Sequence, residues 1–124
     1  MAGGARLICD GGELVDGGPG VRFSVERRGR AEPAFAIRFR GEVRAYFNAC
    51  GHVPVELDWI PGEFFDHSKL YLICSVHGAL YAPDTGECLG GRCHGRGLHP
   101  LAVREIDGKI YLEQEDDHGN SPNP

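Results

Sequence analysis

Two short boxes constrain this chain more than anything else in it. Cys50-Gly51-His52 is a C-x-H box and Cys74-Ser75-Val76-His77 is a C-x-x-H box, with residues 53–73 between them. Each supplies one thiolate and one imidazole from a loop, so a fold that uses both must bring two loops to one point. Thiolates select zinc or iron–sulfur clusters, and histidine suits zinc and iron alike. A single tetrahedral zinc is the simplest occupant, but zinc sites favour C-x₂₋₄-C and H-x₃₋₅-H pairs, and C-x-H is tight for one zinc ion.

The residues after the second box narrow the choice. Gly78-Ala79-Leu80-Tyr81-Ala82-Pro83-Asp84-Thr85-Gly86 continues C-x-x-H with a glycine, a small residue, an aromatic four positions past His77 and a T-G turn. Such a continuation has no role in a zinc finger. Two boxes in this order with this continuation resemble the Rieske [2Fe–2S] family, over roughly residues 34 to 113. The resemblance implies one [2Fe–2S] cluster per chain, with Cys50 and Cys74 on one iron and His52 and His77 on the other. Neutral imidazoles carry less negative charge than thiolates, so their iron is the one reduced and the potential lies above that of all-cysteine clusters. The imidazoles also keep a ring N–H whose proton affinity follows the charge on the iron.

The same resemblance gives Tyr81 a role. Rieske proteins of cytochrome bc complexes carry a tyrosine at the matching position, where its hydroxyl bonds a ligand sulfur and raises the potential. They carry serine where this chain has Ala79, and an extra cysteine in each cluster loop, joined as a disulfide. Here Ser75, Val76 and residues 53–57 contain no cysteine. The loops are therefore expected to be held by packing and backbone hydrogen bonds alone, with a potential near the low end of the family's range. That pattern resembles the soluble Rieske-type ferredoxins.

Along the chain, short strands alternate with turns. Arg6-Leu7-Ile8-Cys9-Asp10 reads as an edge strand with Cys9 as a small buried hydrophobe. Val21, Phe23 and Val25 alternate with polar residues, then Arg27-Arg28-Gly29-Arg30 makes a basic turn. Phe35, Ile37 and Phe39 alternate in the next strand. Gly41-Glu42 fits a two-residue hairpin turn, after which Val43, Ala45 and Phe47 run into Cys50. Residues 53–69 read as a loop with at most one helical turn. Leu70–Ile73 and Ala79–Ala82 are expected strands on either side of the second box, 89–97 a Gly-rich loop, and 98–106 and 109–114 a terminal hairpin around Asp107-Gly108. The expected class is all-β, and the resemblance implies a Rieske-like fold of antiparallel sheets with a cluster-binding lobe inserted at about residues 46–97. Residues 1–115 form the expected single domain, and polar residues 116–124 an expected disordered tail.

Composition bounds the partners. A net charge of −5 argues against general nucleic-acid binding, and no apolar run reaches membrane-spanning length. No secretory signal is visible, which points to the cytoplasm. Five cysteines cannot all pair within one chain. Cys88 and Cys93 flank Leu89-Gly90-Gly91-Arg92, near the family's proline-containing covering loop, which here lacks its proline. In a reducing cytosol two free thiols are the default; a disulfide or redox pair is the alternative. A second metal on Cys88, Cys93, His94 and His99 is a weaker reading, and His67 and His118 are expected to be exposed and idle. Glu56, Asp58, Glu63 and Asp66 give the inter-box loop an acidic face able to steer a basic partner, with Arg92 and Arg96 on the opposing loop.

The resulting expectation is a one-electron carrier rather than an enzyme, a ferredoxin passing electrons from a flavin reductase to a terminal oxygenase, with no small-molecule substrate. Three alternatives stand beside it: a protein like the small subunit of nitrite reductase, a redox sensor built on Cys88 and Cys93, and a zinc-bound structural module.

Overall fold

The computed structural model describes residues 6–50, 55–76, 78–91, 93 and 95–113. His52, His77, Arg92, His94, His118 and the expected disordered tail lie outside the described residues. Among the described residues ten strands form three antiparallel sheets, and the only helical element is a 3₁₀ turn at Gly11–Glu13.

The base consists of two sheets. One has the order β2 (Val21–Arg27), β3 (Arg30–Phe39), β4 (Glu42–Phe47), β8 (Pro100–Leu101). The other has the order β1 (Arg6–Asp10), β10 (Lys109–Leu112), β9 (Val103–Ile106). Three of the base hairpins turn on the same two-residue device, Arg28-Gly29, Arg40-Gly41 and Asp107-Gly108, with both residues at positive φ. That geometry matches the right-handed twist of the flanking strands. It also moves one expected turn: the reversal falls on Arg40-Gly41, and Glu42 is already in β4 opposite Phe39. Arginine pays a steric cost at φ 54, but this register sets Ala36 opposite Ala45 and Phe35 opposite Tyr46.

β3 departs from simple alternation because Ala34, Phe35, Ala36 and Ile37 are all buried. Each face of the strand meets a different core. Phe35 and Ile37 join Phe64, Leu72 and Tyr81 on one side; Ala36 and Ala45 join Cys9, Leu14 and Ile110 on the other. Alanine reads as a weak inside residue in the sequence, yet here it permits close approach of the second sheet. Arg38 fastens the two sheets, donating to the carbonyls of Leu14 (2.6 Å) and Gly11 (3.1 Å) and to the carboxylate of Glu105 (3.1 Å).

Between β4 and β8 the chain builds a lobe on a third sheet: β5 (Leu72–Ile73), β6 (Leu80–Tyr81) and β7 (Cys88–Gly90). β5 and β6 are shorter than the sequence suggests, and β7 lies where a Gly-rich loop was expected. Residues 55–69 contain no helical turn. The expected strand over 98–106 splits at Ala102 into β8 and β9, which belong to different sheets. Phe64 ties lobe to base, its ring stacked on Phe35 at a centroid distance of 3.9 Å.

Candidate metal centre

Both cysteine boxes use one backbone device. The Cys50 N–H donates to the carbonyl of Val55 (2.7 Å), and the Cys74 N–H donates to the carbonyl of Ala79 (2.9 Å). Each loop is closed by a bond from its cysteine to the residue five positions on. In the second loop the Gly78 N–H also reaches back to the Cys74 carbonyl (2.7 Å), with Gly78 at φ 74, where glycine has no steric cost. The two loops are joined directly, because the Ser75 N–H donates to the Leu57 carbonyl (3.0 Å).

Behind the first loop lies a buried polar knot. Asn48 Oδ1 accepts from the Leu57 N–H (2.8 Å), and Asn48 Nδ2 donates to Asp58 Oδ1 (3.0 Å). Asp58 Oδ2 accepts from the Gly62 N–H (2.9 Å) and pairs with Arg22 Nε (3.3 Å). Every partner needed by a buried carboxylate is therefore supplied. This revises the acidic face: Asp58 is a structural anchor, Glu56 is paired with Arg22 at 2.6 Å, and Asp66 accepts from Ser68 Oγ and the Lys69 N–H. Asn48 and Asp58 are the site-supporting residues that sequence reasoning missed. An asparagine at a strand end two residues before a ligand box was the available signal.

The structure brings Cys50, Cys74 and Tyr81 into one buried cluster, with the Tyr81 hydroxyl 3.2 Å from Cys50 Sγ. The T-G turn has its own reason. Gly86, at φ 79, lies so close to the Tyr46 ring that a Cβ there would sit 2.7 Å from Tyr46 Cε1, and the Tyr46 hydroxyl donates to the Pro83 carbonyl (2.8 Å). Burial pushes the Tyr46 phenol up to about 12. This ring braces the turn that leads out of β6.

Cys88 and Cys93 form a disulfide with Cα atoms 6.0 Å apart. Free thiols, the default from redox compartment, are thus not what the structure has, and the cluster lobe is not held by packing and hydrogen bonds alone. The bond closes a third loop in which Gly91, at φ 83, presses on the second ligand loop; a Cβ there would lie 2.9 Å from both Ala79 Cα and the Gly78 carbonyl. Disulfide sulfurs are not thiolate ligands, so the reading of a second metal on these cysteines falls. His67 and His99 are exposed.

The donor chemistry fits the group the sequence implies. Two buried cysteine sulfurs on backbone-fixed loops, with a hydroxyl 3.2 Å from one of them, suit an iron–sulfur cluster, while the imidazole candidates His52 and His77 lie outside the described residues. The model of the Rieske [2Fe–2S] domain family matches residues 7–110. The chain belongs to the Rieske [2Fe–2S] family. Its fold is similar to the ferredoxin of carbazole 1,9a-dioxygenase from Nocardioides aromaticivorans IC177, with 19% identity, a TM-score of 0.67, and coverage of 90% of this chain and 98% of that one. A ferredoxin in a complex of reduced oxygenase and oxidised ferredoxin of carbazole 1,9a-dioxygenase gives 19% and 0.67, with 90% and 95% coverage. The quaternary ammonium Rieske monooxygenase CntA gives 22% and 0.70, but the match spans only 33% of that larger chain. A search of curated protein sequences finds no match.

Proposed function

We propose that this Rieske protein is a one-electron carrier whose cluster is held by Cys50 and Cys74 on one iron and by His52 and His77 on the other. The observation that carries the reading is the burial of both cysteines in one core with a hydroxyl 3.2 Å from Cys50 Sγ. When bound, the cluster supplies one reversible electron. The chain supplies everything around it. The Tyr81 hydroxyl donates to the Cys50 sulfur and favours the reduced state, while Ala79 offers no second hydroxyl. The Asn48–Asp58 knot and the Ser75–Leu57 bond hold the ligand loops in one geometry, which keeps reorganisation on electron transfer small. Matching the carbazole dioxygenase ferredoxin along nearly its whole length supports a ferredoxin role, with a flavin reductase as donor and a terminal oxygenase as acceptor. No helix among the described residues is long and apolar enough to cross a membrane.

The test is electron paramagnetic resonance of the dithionite-reduced protein, with iron and sulfide counted on the same sample. A rhombic signal with about two irons and two sulfides per chain is the expected result. A silent spectrum with bound zinc sinks the carrier reading and favours a structural module. In the loaded protein, Tyr81→Phe lowers the midpoint potential, whereas an unchanged potential means the hydroxyl does not act on the sulfur.

A further inference from the structure

The Cys88–Cys93 disulfide is no ligand, yet the fold ties it to the residues around both ligand cysteines. Cys88 opens β7 and lies opposite Tyr81 in the ladder with β6, and the Tyr81 hydroxyl is 3.2 Å from Cys50 Sγ. β7 is the three-residue edge of the lobe sheet, so its ladder alone holds it weakly. The disulfide closes the loop that follows. In that loop Gly91 comes so near the Gly78 carbonyl and Ala79 Cα that a Cβ would lie 2.9 Å from each. Those two residues close the second ligand loop: the Gly78 N–H donates to the Cys74 carbonyl, and the Ala79 carbonyl accepts from the Cys74 N–H. One covalent bond therefore bears on the tyrosine that faces Cys50 and on the loop that carries Cys74.

The two sulfurs are not equivalent. Cys93 is fully buried, whereas Cys88 is half-buried. Cys93 Sγ lies 3.2 Å from the Gly90 carbonyl and 3.9 Å from the Leu80 carbonyl. A disulfide sulfur has no proton to give these oxygens, but a thiol has. An incoming thiolate thus reaches Cys88 first, and the departing Cys93 sulfur, once protonated, finds its acceptor in place.

We propose that Cys88–Cys93 is a second redox site, opened by a dithiol, whose state adjusts the potential of the one-electron site beside it. A thiolate of the dithiol attacks Cys88 Sγ, the bond to Cys93 breaks, and Cys93 leaves as a thiolate and takes a proton. The second thiolate of the dithiol then attacks its own bridging sulfur. That step closes the reductant's disulfide and releases Cys88, which is protonated in turn. Two electrons and two protons pass to the chain, the dithiol is oxidised, and the oxidised partner runs the same exchange backward. Opening frees β7 and Gly91, so the contact of Tyr81 with Cys50 and the Cys74 loop both loosen. A weaker donor to the sulfur favours the reduced cluster less, and the potential falls. The shift in potential rests on the carrier reading, while the thiol exchange does not.

The test uses the full chain as purified, treated anaerobically with dithiothreitol or left untreated, with iron counted in both. Iodoacetamide is expected to label Cys88 and Cys93 only after treatment, and the monothiol glutathione to be trapped by acid quench on Cys88. Hydrogen exchange at the Cys74 and Gly78 amides should rise roughly tenfold, with the β2–β3 amides unchanged. The midpoint potential should fall at constant iron. A variant with Cys88→Ser and Cys93→Ser should show the lower value without dithiol, and in Tyr81→Phe the dithiol-induced shift should be largely lost. A bond that survives excess dithiothreitol in the folded chain overturns the proposal. So does opening that moves neither the amides nor the potential, glutathione found on Cys93, or a full shift in Tyr81→Phe. Iron lost in step with opening also overturns it, because the bond would then be a support of the site and not its regulator. Zinc in place of iron defeats the carrier reading and the potential shift with it, leaving capture on Cys88 and amide exchange to decide the thiol site. A cluster-bearing chain whose disulfide stays shut defeats only that site.

Discussion

In the base, β2 and β3 pair over seven positions and β3 and β4 over six; among the described residues of the lobe no strand exceeds three residues. The base closes its hairpins with paired left-handed residues and covers both faces of β3. It holds itself by ladder and burial, which any sequence with the right periodicity supplies. The lobe has too little ladder for that. It uses single devices: the two cysteine loop closures, the Asn48–Asp58 knot, the Cys88–Cys93 bond and the stack of Phe64 on Phe35. The difference teaches where specificity is written. The base is redundant, while each lobe contact is unique.

Four substitutions sharpen or break that contrast. The largest effect is expected for Phe64→Ala, which removes a fully buried ring from the seam and should cost about 3–5 kcal/mol in chemical denaturation. A loss below about 1 kcal/mol would mean lobe and base are not coupled there. Next, Asp58→Ala strands Asn48 Nδ2 and the Gly62 N–H in a buried setting, worth about 3 kcal/mol. Hydrogen exchange should rise across residues 55–64 and not in β2–β3; an even rise would break the contrast. Replacing both Cys88 and Cys93 by alanine opens a short ring whose chain-entropy value is about 2 kcal/mol. The lobe should again exchange faster while the base keeps its protection, and thermal melts of native and variant protein that coincide would remove the disulfide from the list of supports. The smallest effect belongs to the base. Glu105, 36% exposed, has its carboxyl held below the usual range first by the Arg38 hydrogen bond. Its folded value is depressed, so its contribution is present above the unfolded value and fades as pH falls through the folded one. Glu105→Gln should lower stability by under about 1 kcal/mol at neutral pH, leave it nearly unchanged in strong acid where the native carboxylate is protonated, and so flatten the acid limb of the curve measured by denaturation across pH.

The base was largely legible because strand period and Gly-containing turns are local signals. Asp107-Gly108 declared its turn. Arg40-Gly41 did not, because an arginine at positive φ is chosen by the pairing of its neighbours rather than by its own preference. In the lobe the ligand boxes and the tyrosine four residues beyond the second box were visible as motif. What supports them was not. Asp58 looked like one charge in an acidic run, since nothing local says that Arg22, far away in sequence, will meet it. β7 was hidden because Cys88-Leu89-Gly90 becomes a strand only when β6 offers an edge. The Cys88–Cys93 bond is not decided by sequence, because a reducing compartment favours free thiols while the spacing permits a disulfide.

The chain leaves the base from β4 and returns on β8, and those two strands are hydrogen-bonded neighbours, with Tyr46 opposite Pro100. To the base, everything between them is therefore a single turn whose two feet already touch. A loop with tied ends grows at only logarithmic cost. The lobe can lengthen, shorten or be replaced by another lobe without the sheet beneath having to be re-registered, which makes this junction a natural point for grafting one redox site onto another scaffold.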